Sequence, residues 1–265
     1  MKHINKIAIS AFALAAIFSG NASAALVTNN VIFGSGVSNG SFTVDQNAQM
    51  GVELGLRGKL RHNASGIPEN TFNEFNPGMY YFDAGVAPTQ SGSTATWSFE
   101  WSINTNFDDN LLGLNLDDLV YELALDMDPS LGTNFFVFDP INGFNTGEAD
   151  GHWDHSIGDN TTAQSAGTEA TDIASYTALL ADNNLAQNSW KPHWFIPGFD
   201  PTVDGTYDIM LSAYDPAGQN ALVASTSIQI IVGQGGSTQV PEPASLLIFA
   251  AGLLGLGAAR KRKTK

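Results

Sequence analysis

Polar and apolar residues alternate with a period of two through several stretches of the chain, the mark of strands whose two faces meet different surroundings. In 51–61, Val52, Leu54, Leu56 and Leu60 fall on one side, and Glu53, Arg57, Lys59 and Arg61 fall on the other. The pattern therefore predicts a solvent face carrying three cations. The clearest run is 94–104, where Ala95, Trp97, Phe99, Trp101 and Ile103 are predicted to point inward, and Thr96, Ser98, Glu100 and Ser102 outward. Residues 121–127 alternate again, 133–138 form an apolar run suited to a strand buried on both faces, and 207–213 and 227–232 complete the set. Asn76-Pro77-Gly78 and the Asp-Pro steps at 128, 139, 200 and 215 separate these runs. Proline fixes φ and has no N–H to donate, so each step breaks a strand.

One segment follows a different period. Ile173, Tyr176, Leu179 and Leu180 are spaced for a helix across 171–187, with Thr171 as the expected N-cap and Asn183-Asn184 as its end. Short strands, polar turns, one short helix and no strand-helix alternation predict a mainly β fold. We expect a single antiparallel β-sandwich over 25–232, jelly-roll or Ig-like in kind. Residues 233–239, rich in Gly, Gln, Ser and Thr, read as a flexible linker.

The two ends are of another kind. Lys2 and Lys6 precede an apolar stretch from Ile7 to Phe18, and Ala22-Ser23-Ala24 supplies small residues, so 1–24 reads as a signal peptide cut by signal peptidase between Ala24 and Ala25. At the other end, Ala244 to Ala259 carries no charge, and Arg260, Lys261, Arg262, Lys263 and Lys265 follow together. This predicts a transmembrane helix over 243–259, with the basic end 260–265 in the cytoplasm. Sixteen residues rise about 24 Å, less than the roughly 30 Å of hydrocarbon. The long basic stems can snorkel to cover the difference.

Charge sharpens the division. Of 26 acidic residues all but Glu242 lie between the two ends, and of 11 basic residues only Arg57, Lys59, Arg61 and Lys191 do, so 25 acids face four bases and the body carries −21. Such a body does not bind nucleic acid, whose phosphates require basic patches, and it favours divalent cations. The absence of cysteine excludes disulfides, thiol catalysis and Cys-ligated zinc.

Val240-Pro241-Glu242-Pro243, the Gly-containing apolar helix and the closing Arg-Lys-Arg-Lys together resemble a PEP-CTERM sorting tail, 240–265. That type of tail also goes by a name referring to the C-terminus of ice-binding proteins, which concerns the anchor and not the body. The resemblance implies an exosortase as processing partner. It also implies transient anchoring in the inner membrane of a Gram-negative bacterium, then the outer surface or extracellular matrix, in systems that make exopolysaccharide and biofilm. The body is similar to ectodomains of other PEP-CTERM proteins through Gly132 to Pro140 and Ile230 to Gly235. This implies kinship and no particular function.

Candidate chemistry in the body is sparse. Gly36-Val37-Ser38-Asn39-Gly40 has the spacing of a nucleophile elbow, but it leads into the strand-like Phe42-Thr43-Val44 where the elbow needs a helix, so it reads as a surface loop. His152 and His155 lie three apart in a Gly-containing loop, not as a registered helical pair, and the loop reads as polar with Trp153 tucked into the body. Glu148-Ala149-Asp150 begins like one glycosidase signature, but His152 and Trp153 stand where the second glutamate belongs. Oxygen ligands for Ca2+ are more abundant, with Asp126, Asp128, Asp150 and Asp154 as candidates. Trp190 and Trp194, in a Pro-containing loop after the helix, are candidates for stacking on sugar rings. The expectation is a non-catalytic surface or matrix protein associated with exopolysaccharide. A carbohydrate- or calcium-binding adhesin and a secreted hydrolase are the alternatives.

Overall fold

Strands that are apolar on one face bury it by pairing into sheets and stacking those sheets. The computed structural model, which describes residues 26–28, 37–38, 40–108, 112–142, 152–163 and 165–237, does this with two six-stranded sheets. The strands are β1 (Leu26–Thr28), β2 (Phe42–Asn47), β3 (Val52–Leu60), β4 (Glu74–Asn76), β5 (Met79–Phe82), β6 (Trp97–Asn104), β7 (Val120–Asp126), β8 (Phe135–Phe138), β9 (Ser156–Gly158), β10 (Leu185–Trp190), β11 (Gly205–Asp215) and β12 (Ala221–Val232). The first sheet runs β1-β2-β3-β6-β10-β9 and the second β4-β5-β12-β11-β7-β8. All pairs are antiparallel except β5 with β12, which is parallel, so the second sheet is mixed where an antiparallel one was expected.

The two sheets close on each other tightly. Tyr80 on β5 bonds Thr43 on β2 at 3.1 Å and the Ser41 carbonyl at 2.6 Å, while Thr226 of β12 donates to the Thr43 carbonyl at 3.0 Å. Gly58 leaves no room for a side chain between the sheets, since a Cβ there would lie 2.8 Å from Tyr80 Cβ. Between the sheets lie Leu54, Leu56, Trp97, Phe99, Trp101 and Ile103 from the first, and Tyr121, Leu123, Ile209, Leu211, Ile228 and Ile230 from the second. The inward set expected for 94–104 is thus the core.

Three expectations are corrected. The face of β3 and β6 expected to meet solvent is buried, for Arg57, Glu53, Lys59, Ser98, Glu100 and Ser102 are all enclosed. Alternation separates two faces but does not say which of them is covered. Here Phe42 and Phe72 cover the Arg57 guanidinium on the second face, and Ser38 and Gly40 bond it there. The strand expected to be buried on both sides, β8, is instead the edge beside β7, with Phe136 and Phe138 turned inward and Phe135 and Val137 exposed. The helix, α1, spans Ile173–Asp182 and stops short of 187, because Asn183 is extended and the chain continues as β10, a strand the helical spacing hid. Its N-cap is Asp172 in place of Thr171. The Asp172 carboxylate accepts from the Ser175 N–H at 2.7 Å and the Ser175 hydroxyl accepts from the Asp172 N–H, a reciprocal capping box. Asn183 ends the helix by donating to the Leu179 carbonyl, as its position predicts.

After β12 the chain turns at Gly233, and the Gly236 N–H donates to Thr206, so the start of the expected linker is tied to the body. The signal peptide with Ala24 and Ala25, and the tail with Val240, Pro241, Glu242 and Pro243, lie outside the described residues. Among the described residues no helix is long and apolar enough to cross a membrane.

Candidate functional site

Glu53, Arg57, Lys59 and Glu100 lie buried on one face of the first sheet. Arg57 of β3 stands opposite Glu100 of β6 in register, and both are wholly buried. The guanidinium is held by Glu100 through Nε at 2.7 Å and through a second, shorter contact from its terminal nitrogen. It also donates to the Gly40 carbonyl and to Ser38 Oγ. Its two faces are covered by the rings of Phe42 and Phe72, at 4.1 and 4.0 Å from the guanidinium carbon. Lys59 reaches the other oxygen of Glu100 at 2.8 Å. Burial lowers the Arg57 pKa and Glu100 works against that shift, keeping the charged form. The triad of Arg57, Lys59 and Glu100 thus ties Ser38 and Gly40 to the sheet. Its buried charges satisfy one another.

The two remaining cations of the body are placed differently. β3 and β10 finish, and β6 begins, at the same end of the sandwich. There Arg61 touches Ser189 Oγ at 3.3 Å, and the N–H groups of Arg61 and His62 both donate to the Thr96 carbonyl. Lys191 follows β10, ahead of a short 3-10 turn at Pro192–Trp194, and its ammonium lies 5.6 Å from the centre of the Trp194 ring. Among the described residues the ion pairs are those of Glu100 with Arg57 and Lys59. Neither Arg61 nor Lys191 has a carboxylate partner among the described residues. Burial and the neighbouring Arg61 lower the Lys191 pKa, and burial, then Lys191 and Arg61, lower that of His62.

His62 is buried. Its Nδ1 lies 3.1 Å from the Gly66 carbonyl, and since a carbonyl only accepts, Nδ1 carries the proton and Nε2 presents a lone pair. Nothing bonds that Nε2, nor the buried Nδ1 of His193. His62 lines a cavity of about 440 Å³ with Asn63, Asn73, Asp83 and Thr96. Among the described residues this end of the molecule thus combines two cations without an acidic partner, an imidazole acceptor without a donor, and the exposed ring of Trp194.

The candidates read from sequence fare unequally. Trp194 is 54% exposed, as ring stacking requires, but Trp190 is 2% exposed and lies in the core against Trp101, Trp153 and Phe195. The two sit on opposite sides of Lys191 because Trp190 still belongs to β10, whose register turns it inward. Asp126 and Asp128 share one turn and spend their carboxylates on it: Asp126 accepts from the N–H groups of Asp128 and Asn134, and Asp128 from that of Ser130. Asp154 accepts from Asn188 of β10, in the other sheet, and Asp150 lies outside the described residues. Among the described residues no group of three or more His, Asp or Glu side chains could hold a metal ion.

Trp153 tucks into the body as expected, and His155 beside it is fully buried. His155 Nε2 donates to the Pro140 carbonyl at 2.7 Å and Nδ1 accepts from Asn188 at 3.0 Å, so it is neutral, and burial pushes its pKa down to about 4. Glu148 and Gly36 lie outside the described residues. Sequence reasoning put Arg61 on the solvent side, where it is half-buried, but did not join it to Lys191. No local signal joined them, because Lys191 follows β10, the strand that the helical reading hid.

The protein-family model for the PEP-CTERM protein-sorting motif matches residues 239–263. No curated protein and no solved structure matches the chain. The motif indicates export, membrane-anchored transit and sorting by an exosortase system of Gram-negative bacteria.

Proposed function

We propose that this PEP-CTERM sorting domain-containing protein, exported and sorted by an exosortase system, acts without catalysis at the outer surface or in the extracellular matrix, in association with exopolysaccharide. The observation that carries the reading is the sorting motif at 239–263, behind an acidic, cysteine-free β-sandwich. A structural use of the shifted groups supports the non-catalytic part: Arg57 serves Glu100, His155 serves Pro140 and Asn188, and Glu53, raised by burial, accepts from Gln46. The exposed Trp194 favours a second reading, a carbohydrate-binding adhesin.

Fractionation of the producing cells tests the proposal. The wild-type protein is expected in the surface or matrix fraction and is released when the polysaccharide is digested. Replacing Pro241, Glu242 and Pro243 together by alanine should hold it in the inner membrane. Wild-type protein found only in that membrane, with Arg260 to Lys265 intact, would overturn the reading. So would matrix protein that digestion fails to release.

A further inference from the structure

We propose that the end of the sandwich carrying Arg61, His62, Lys191 and Trp194 binds the carboxylate-bearing sugars of an acidic polysaccharide. This deepens the polysaccharide reading above and rests on it. Each group asks for a different feature of the ligand. Arg61 and Lys191 have no carboxylate partner among the described residues, and a guanidinium beside an ammonium accommodates a carboxylate of the ligand. His62 Nε2 is a buried acceptor without a donor, and a sugar hydroxyl supplies one. The exposed face of Trp194 suits the apolar face of a pyranose ring. A neutral glucan would leave both cations unmet, and a simple anion would leave His62 and Trp194 unmet. A sugar acid meets all three.

The body's net charge of −21 opposes any polyanion at long range, yet at physiological salt that field decays over about 8 Å. Contact is therefore decided locally, and this end is where the described cations lack an acidic partner. The cavity of about 440 Å³ beside His62 is lined by Asn63, Asn73, Thr96 and Asp83, so it has room for the hydroxyl-bearing edge of the bound sugar, whereas a second carboxylate there would meet Asp83.

Affinity electrophoresis and calorimetry of the exported protein, with polygalacturonate, dextran and dextran sulfate and with chelator or calcium present, provide the test. The wild type should bind polygalacturonate in chelator and ignore dextran. The double variant Arg61→Gln/Lys191→Gln and, separately, Trp194→Ala should each bind about tenfold or more weakly, with thermal unfolding unchanged. Binding that both variants retain would overturn the site, as would binding that chelator abolishes, since that would run through calcium on the acidic surface. Equal retention by dextran sulfate, insensitive to Trp194→Ala, would reduce the contact to generic charge and overturn the sugar assignment. Matrix association that survives in the double variant sinks this site and leaves the functional reading standing. Intact polygalacturonate binding in a protein that never joins the matrix sinks that reading alone.

Discussion

Replacing Glu100 by glutamine should be the most damaging single change of charge in the body. Glu100 is wholly enclosed and holds two cations at once, Arg57 at 2.7 Å and Lys59 at 2.8 Å. The amide keeps the volume but removes the charge, leaving Arg57 and Lys59 on the same face of β3 with no compensating anion. Breaking one buried pair costs about 3–5 kcal/mol. Lys59 can relieve part of this by sliding its flexible stem toward water. Arg57 cannot, because Phe42 and Phe72 sandwich it. We therefore expect a loss of about 3–5 kcal/mol in urea unfolding with an unchanged m-value. At about 2–4 °C per kcal/mol for a domain of this size, the melting temperature should fall by about 6–20 °C. The triple variant Arg57→Met/Lys59→Met/Glu100→Leu removes all the charge and should recover most of the loss, since a buried pair is worth little against well-packed apolar groups. A Glu100→Gln protein within about 1 kcal/mol of wild type would refute the reasoning, and so would a triple variant no more stable than the single one.

Trp190→Ala should cost about 3–5 kcal/mol by opening a cavity among Trp101, Trp153 and Phe195, measured by urea unfolding; a change below about 1 kcal/mol would contradict its place in the core. His155 should make the protein acid-sensitive. Its folded pKa of about 4 lies below the unfolded value near 6.5, so between those pH values the unfolded chain binds a proton that the folded one does not. Stability from this group is complete above pH 6.5 and falls by about 3 kcal/mol as the pH drops to 4. Glu53 and Asp126, raised by burial, act in the opposite sense, but they do so equally in a His155→Gln variant. The difference between the two stability profiles should therefore slope at up to about 1.4 kcal/mol per pH unit in that window, and parallel profiles would rule the linkage out. Gly58→Ala should cost about 1–3 kcal/mol, read from the melting temperature, because the added methyl meets Tyr80 and Phe82; no change would mean that the sheets yield freely there.

The fold was legible wherever local pattern and tertiary burial agree. β6 and β7 alternate in sequence, and their apolar sets are the core. Legibility failed where a tertiary choice overrode the pattern. The segment assigned to the helix extends to 187, yet beyond Asn184 a strand forms because β6 offers an antiparallel partner, with Gln187 bonding Ser102 across the pair at 3.0 Å. An apolar run at Phe135 to Phe138 reads as central, but its position in the sheet order, beyond β7, leaves one face to solvent. Neither fact is local, and periodicity measures only what is local.

The candidate site was half legible for a related reason. Alternation put Arg57, Lys59 and Arg61 on one face of β3, and that face is real, but the register across β6 gives the three unequal roles. Glu100 stands opposite Arg57 and also reaches Lys59, so one acid neutralises two cations and both become structural. Arg61 lies one residue beyond the end of β3, past the reach of Glu100, with Ser189 as its side-chain neighbour and Lys191 close enough to feel its charge. The same spacing of two that buries a cation at position 59 thus releases the next one at 61. Arg61 and Lys191 each follow the last residue of a strand, and among the described residues no carboxylate reaches either of them there.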